Sequence, residues 1–210
     1  MSESEHKIIF SMLIIILILS GYLIIKIKLE PKYDKEVYSE IYNQYEEIFP
    51  SESTELYEDT SSSNEKKNNI TRTMVDAQGN KYKIAGKIRI DKIKITYPII
   101  TETTLSYLKV APTKFCGPEV NKVGNLCIVA HNYKNDQFFS RISELEKDDK
   151  VYLTSNDGTE LEYLVYDKFE IEETDMSCTN QETKGKIELT LITCTKKKQN
   201  RLVVKCRANI

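Results

Sequence analysis

The chain has 210 residues and a formal net charge of −2, with 30 Lys and Arg dispersed among 32 Asp and Glu. That balance lacks the clustered basic footprint needed to bind a nucleic-acid backbone, and the length allows one domain of ordinary size with an anchor or tail to spare. Five cysteines, at 116, 127, 178, 194 and 206, form no CxxC pair, and only two histidines accompany them, so no zinc-ligand spacing is present and no metal or other cofactor is expected. The odd count leaves at least one thiol unpaired.

Residues 1–7 form a short polar start, read as cytoplasmic. Residues 8–25 carry no charge and are almost entirely Ile, Leu, Phe and Met, about the length needed to cross a bilayer core. They predict a transmembrane anchor. A cleavable signal peptide is the rival, but no small-x-small site follows the apolar run. Lys26, Lys28, Lys32 and Lys35 follow the anchor and Lys7 precedes it, so the positive-inside rule points the C-terminal part toward the cytoplasm.

Between 26 and 50, Val37, Ile41, Tyr45 and Ile48 recur at helical spacing before Pro50, which predicts a helical stalk. Residues 51–74 are Ser, Glu, Asn and Lys with few apolar side chains, a polar linker. The folded domain is expected over 75–210. Short β-rich runs follow at 82–90, 93–100, 126–130, 151–154, 161–171, 187–193 and 202–206. Leu161, Tyr163, Val165, Phe169 and Ile171 share one parity and predict a single core-facing side for their strand. Minor helical material is expected at 104–108 and 137–145. Many short strands suggest an all-β, barrel-like fold whose closure removes exposed edges. The basic run Lys196, Lys197 and Lys198 reads as a solvated turn.

His6 lies before the anchor, so imidazole chemistry in the domain falls to His131, at the end of an apolar strand and the start of a polar loop. Cys194 ends another strand and precedes a polar turn. Arg201 opens the next strand, so a hairpin would return it beside Cys194, where a guanidinium favours thiolate and steadies oxyanions. Arg207 is the rival, but six residues of strand put it about 20 Å away. Taken singly, a strand-end Cys or His is more often structural than catalytic.

Together these residues resemble a known pattern. Thr190-Leu191-Ile192-Thr193-Cys194 matches the TLxTC signature of the sortases, and Arg201 matches the Arg that opens their last strand. Residues 124–133, with His131, are similar to their G-N-x-x-I-A-G-H segment, and residues 86–99 resemble their opening hairpin. Ala130 stands where that family commonly has Gly, and Asp91 where it commonly has Pro; loss of Pro frees the first turn. The resemblance implies a closed eight-stranded barrel with a few short helices. It implies a cysteine transpeptidase in which Cys194 attacks an LPxTG-like sorting motif, His131 is the acid and base, and Arg201 stabilises the oxyanion. Thr193 is a supporting residue.

Partners implied are surface proteins with a C-terminal sorting signal, a cell-wall amine acceptor, and the membrane through the N-terminal helix, with the domain outside the cell. Residues 171–186 would set specificity. Within them Glu172, Glu173 and Asp175 lack a calcium-loop spacing and read as solvated acids. With neither an Asp-Pro-aromatic plug nor a second membrane segment, the pattern is class B-like or class D-like and not that of the lid-bearing pilin enzymes. Two other readings are a cysteine L,D-transpeptidase, whose Ser-His-Gly-Cys signature is missing, and a non-catalytic membrane-tethered β-barrel binding module.

Overall fold

The computed structural model describes residues 12, 14–24, 72–76, 78–133, 136–195 and 200–210. The expected anchor is helical at Met12 and over 14–24, with its remaining residues outside the described set. No helix among the described residues is long and apolar enough to cross a membrane. The expected stalk, and the linker as far as residue 71, lie outside the described residues.

Nine strands are present among the described residues: β1 Arg72–Val75, β2 Lys81–Ile90, β3 Ile95–Ile100, β4 Thr113–Cys116, β5 Gly124–Val129, β6 Lys150–Ser155, β7 Glu160–Glu172, β8 Ile187–Cys194 and β9 Asn200–Ala208. Their order in the sheet is β1-β2-β3-β4-β5-β8-β9-β7-β6, and β2 also pairs with β6. That last pairing closes an eight-stranded ring and leaves β1 as an added strand on β2. The expected all-β barrel is therefore present. The helical segments at Asp91–Ile93, Tyr107–Lys109, Ile142–Glu144 and Ser177–Thr179 are single 3-10 turns. At Asp91 the turn closes through the Lys94 N–H, which donates to the Asp91 carbonyl at 3.1 Å.

The barrel interior is filled from every side by Ile88 and Ile90 of β2, Ile99 of β3, Leu126 and Ile128 of β5, Leu153 of β6, Tyr163 and Val165 of β7, Leu189 and Leu191 of β8, and Val204 of β9. Alternation along each strand puts these residues on one face. A second, outer cluster of Cys127, Cys178, Ile192 and Val203 covers the opposite face of β5, β8 and β9. Strand β8 is consequently buried on both sides from Glu188 to Thr193.

Residues 72–74, ahead of the boundary expected at 75, belong to β1, which pairs in register with β2 and buries Met74. The five β7 residues expected on one face are divided between two. Tyr163 and Val165 enter the interior, whereas Phe169 and Ile171 pack on the outer cluster. The register with β9 shifts between Val165 and Asp167. One extra residue at a bulge inverts the parity of everything after it.

Gly86 sits at the closure, paired with Ile99 of β3 and Ser155 of β6. A Cβ at this position would lie 2.4 Å from the Thr154 carbonyl oxygen. The Gly86→Ala substitution is expected to destabilise the protein by about 1–3 kcal/mol through this overpacking. Urea titration should show a lower midpoint with an unchanged m-value. An unaltered midpoint would mean that β2 and β6 are not held this closely.

Candidate active site

The site grows out of two strand registers. Strands β5 and β8 run parallel, with Val129 level with Ile192 at the end of the ladder. Beyond it the Ala130 N–H donates to the Ile192 carbonyl at 3.2 Å. The buried Thr193 hydroxyl donates to the Ala130 carbonyl at 2.7 Å, and the Asn132 side-chain amide donates to the Cys194 carbonyl at 2.7 Å. These bonds carry the alignment two residues past the ladder. His131 and Cys194 thus arrive level with each other at the ends of neighbouring strands, which lie about 4.8 Å apart. Their parity matches Val129 and Ile192, so both belong to the outer face.

The second register is antiparallel. Cys194 faces Arg201 in the last pair between β8 and β9, and the Thr195 N–H closes the hairpin onto the Asn200 carbonyl at 2.9 Å. Facing residues share a side of the sheet. Arg201 accordingly reaches Cys194, with Nη1 donating to Sγ at 3.4 Å. Its other terminal nitrogen, Nη2, pairs with Glu173, from the segment that follows β7. The rival Arg207 lies opposite Glu188, bonds its carboxylate at 2.8 and 3.2 Å, and covers the Tyr166 ring at 4.6 Å. It is a structural residue on the far part of β9. The expected run Lys196 to Lys198 lies outside the described residues.

His131 is half-buried, and its ring lies against Tyr133 with centroids 4.9 Å apart. Tyr133 packs on Phe138, and Phe138 on Tyr97, at 5.5 and 5.2 Å. The Phe138 N–H donates to the Tyr97 hydroxyl at 3.0 Å, and the Phe139 N–H to the His131 carbonyl at 3.1 Å. Phe138 holds a φ of +53°, in the left-handed region that a bulky side chain rarely adopts. The bonds and ring contacts at Phe138 and Phe139 hold that conformation against the barrel.

The outer face beside Cys194 is apolar, formed by Ile192, Val203, Phe169 and Ile171. Residues 173–186 lie over part of it and are fastened by Asn125, which is fully buried in β5. The Asn125 amide donates to the carbonyls of Cys178 and Asn180, each at 3.0 Å, and its carbonyl accepts from the Thr190 hydroxyl at 2.6 Å. The Gln181 side-chain amide donates to the Asn125 backbone carbonyl at 2.9 Å. The acids expected to be solvated are partly engaged: Glu173 meets Arg201, and Asp175 accepts from the Ser177 N–H at 2.8 Å, which holds its carboxyl below the usual range. Among the described residues no three His, Cys, Asp or Glu are grouped to hold a metal ion.

The other cysteines have different surroundings. Cys206 is buried in the barrel interior, Cys127 and Cys178 in the outer cluster, and burial pushes all three thiols up. Burial of this kind disfavours the thiolate and slows its chemistry. Cys194 is half-buried at a strand end with a guanidinium against its sulfur.

The structure therefore brings together all four expected residues, with Thr193 acting through the Ala130 carbonyl. Asn132, Asn125 and Glu173 were not singled out from the sequence as parts of this site. Removing the Asn125 side chain strands the buried Thr190 hydroxyl and takes a donor from the carbonyls of Cys178 and Asn180, so Asn125→Ala should cost about 1–3 kcal/mol. Hydrogen exchange should quicken selectively in residues 176–183, and uniform exchange across the barrel would contradict a fastening role.

A family model described as the Sortase domain matches residues 88–209. Sortase A of Bacillus anthracis is 32% identical over 128 residues, which cover 60% of this chain and 60% of that protein. The match thus spans less than two thirds of the relative's length. Among solved structures, a Clostridium perfringens Sortase D5 transpeptidase superposes with a TM-score of 0.54 at 26% identity, covering 59% of this chain and 77% of the other. Sortase A from Corynebacterium diphtheriae gives 0.56 at 24% identity, covering 61% and 62%. Sortase C-1 from Actinomyces oris gives 0.56 at 22% identity, covering 60% and 74%. These last two likenesses concern the fold.

Proposed function

The chain belongs to the sortase family, and from that premise we propose that it is a membrane-anchored cysteine transpeptidase with Cys194 as its nucleophile. The observation that carries the reading is the position of Cys194 between two strand ends, level with His131 on one side and bonded by Arg201 on the other at 3.4 Å. Nucleophile, acid–base group and fixed cation are the parts that acyl transfer through a thioester requires.

In the first half-reaction the Cys194 thiol passes its proton to His131 as its sulfur attacks the carbonyl of a Thr residue in an LPxTG-like motif. Charge gathers on the carbonyl oxygen, where Arg201 can donate from its planar fork. His131 gives a proton to the departing amine, and the chain is left as a thioester on Cys194. In the second half-reaction His131 takes a proton from the incoming amine, which attacks the thioester and restores the thiol. The acyl donor is a surface protein with a C-terminal sorting signal, and the acceptor is an amine of the cell wall or its precursor. The apolar face of Ile192, Val203, Phe169 and Ile171 gives the motif a surface to lie on.

Residues 8–25 serve as the anchor, with the amino terminus inside and the domain outside the cell. Apart from Ser20, whose hydroxyl bonds the Leu17 carbonyl, the side chains described over 14–24 are largely apolar and exposed around the helix, a pattern suited to a bilayer. The lysines after the anchor oppose this orientation. Protease added to intact cells should remove the domain, and a protected domain would overturn the topology. Within the family the chain fits the class B-like or class D-like enzymes that anchor surface proteins, since residues 1–71 carry no Asp-Pro-aromatic plug.

The test is amine transfer from a quenched LPxTG-type peptide library to a glycine-based acceptor. Cys194→Ala should abolish transfer, His131→Ala should lower kcat about 10²–10⁴-fold, and Arg201→Ala about 10²–10³-fold. Arg201→Lys should recover only part of the loss, because an ammonium keeps the charge without the fork. No cleavage of any peptide, together with an unreactive Cys194 thiol, would favour a membrane-tethered binding module.

A further inference from the structure

Three thiols outside the proposed chemistry meet on one face of the barrel. Cys127 and Cys178 are buried in the outer cluster, and half-buried Cys116 packs against it. Cys116 and Cys127 are direct partners in the antiparallel register of β4 and β5, just after a bulge at Phe115. Facing residues in such a pair have Cα atoms about 4.5 or 5.5 Å apart, inside the roughly 4.4–6.8 Å span that a disulfide bridges. Shared register also points both side chains to the same side of the sheet.

The neighbouring residue keeps the two strands close. Gly117 has a φ of +98°, and a Cβ on it would lie 2.2 Å from the Asn125 carbonyl oxygen. Only glycine permits this approach, so the chain turns out of Cys116 pressed against the strand that carries Cys127. Burial and the nearby Cys116 sulfur both push the Cys127 thiol up, a further sign that the two sulfurs face each other.

We infer that Cys116 and Cys127 form a cross-strand disulfide when the domain meets a soluble disulfide oxidant, and that this bond is a modification site separate from the transpeptidase nucleophile. The exchange balances in two steps. The Cys116 thiolate attacks the soluble disulfide, forms a mixed disulfide and releases one small thiol. The Cys127 sulfur then attacks the Cys116 sulfur, gives up its proton and expels the second small thiol. Two electrons pass from the protein pair to the oxidant. Burial of Cys127 makes the second step the slower one. Cys116 is the entry point because its partner is fully buried.

Cys178 packs on the same cluster but belongs to the segment held by Asn125, and it has no register partner among the thiols. The bond is accordingly assigned to Cys116 and Cys127 alone. It would staple β4 to β5, the strand that pairs with the β8 of Cys194.

The test uses the full chain carrying Cys194→Ala, incubated with millimolar glutathione disulfide, alkylated and digested with trypsin. Cleavage after Lys114, Lys122 and Lys134 puts Cys116 and Cys127 in separate peptides, 115–122 and 123–134. The expected result is a 2 Da loss in intact mass and these two peptides joined. Cys116→Ser should abolish the link and leave Cys127 reduced. Alkylation of both thiols, a persistent glutathione adduct on Cys116, or a bond to Cys178 or Cys206 would overturn the assignment, and the map of the chain with Cys116 intact decides this even if the serine variant folds poorly.

Discussion

The parallel register of β5 with β8 is the constraint on which the site depends. Nothing local draws His131 toward Cys194, since one ends β5 and the other ends a strand formed much later in the chain. Their approach follows from pairing Val129 with Ile192 and from continuing that alignment through three hydrogen bonds. A slip of one residue would send one of the two side chains into the barrel. The interior leucines of β8 oppose such a slip, because Leu189 and Leu191 would then leave the core. Packing of the apolar interior and placement of the polar site are thus consequences of the same pairing.

Burial also separates the thiols by chemistry. Cys127, Cys178 and Cys206 lie where charge is disfavoured, and their protonated forms are held. Cys194 stands at the edge of the apolar face, where the strand ends and a guanidinium is fixed beside it. Arg201 is itself held by Glu173, so the segment covering the outer face and the cation at the site are linked by one ion pair. Because that pair is partly open to water, its value lies in orienting the guanidinium more than in stability.

Much of this arrangement is legible in the residues themselves. Counting across one hairpin places Arg201 beside Cys194, and the antiparallel ladder does so. A single histidine in the domain leaves His131 as the imidazole at a strand end. The residues that escape such reading act through contacts set by distant pairing. Asn125 looks like any polar residue in an apolar run until its bonds to Thr190, Cys178 and Asn180 are seen. The β7 bulge leaves no mark on the alternation of Val165, Phe169 and Ile171, which continues as if the strand were regular. Strands β1 and β4 are four residues each, too short to carry a period of their own.

The central claim is that the register delivers a thioester-forming cysteine. The most direct measurement is intact mass spectrometry of the full chain, acid-quenched soon after mixing with an LPxTG-type peptide in the absence of an amine acceptor. The account predicts an adduct equal to the peptide up to its Thr, less water, mapped to Cys194 and lost in Cys194→Ala. No adduct with any sorting peptide, or an adduct carried by another cysteine, would contradict it.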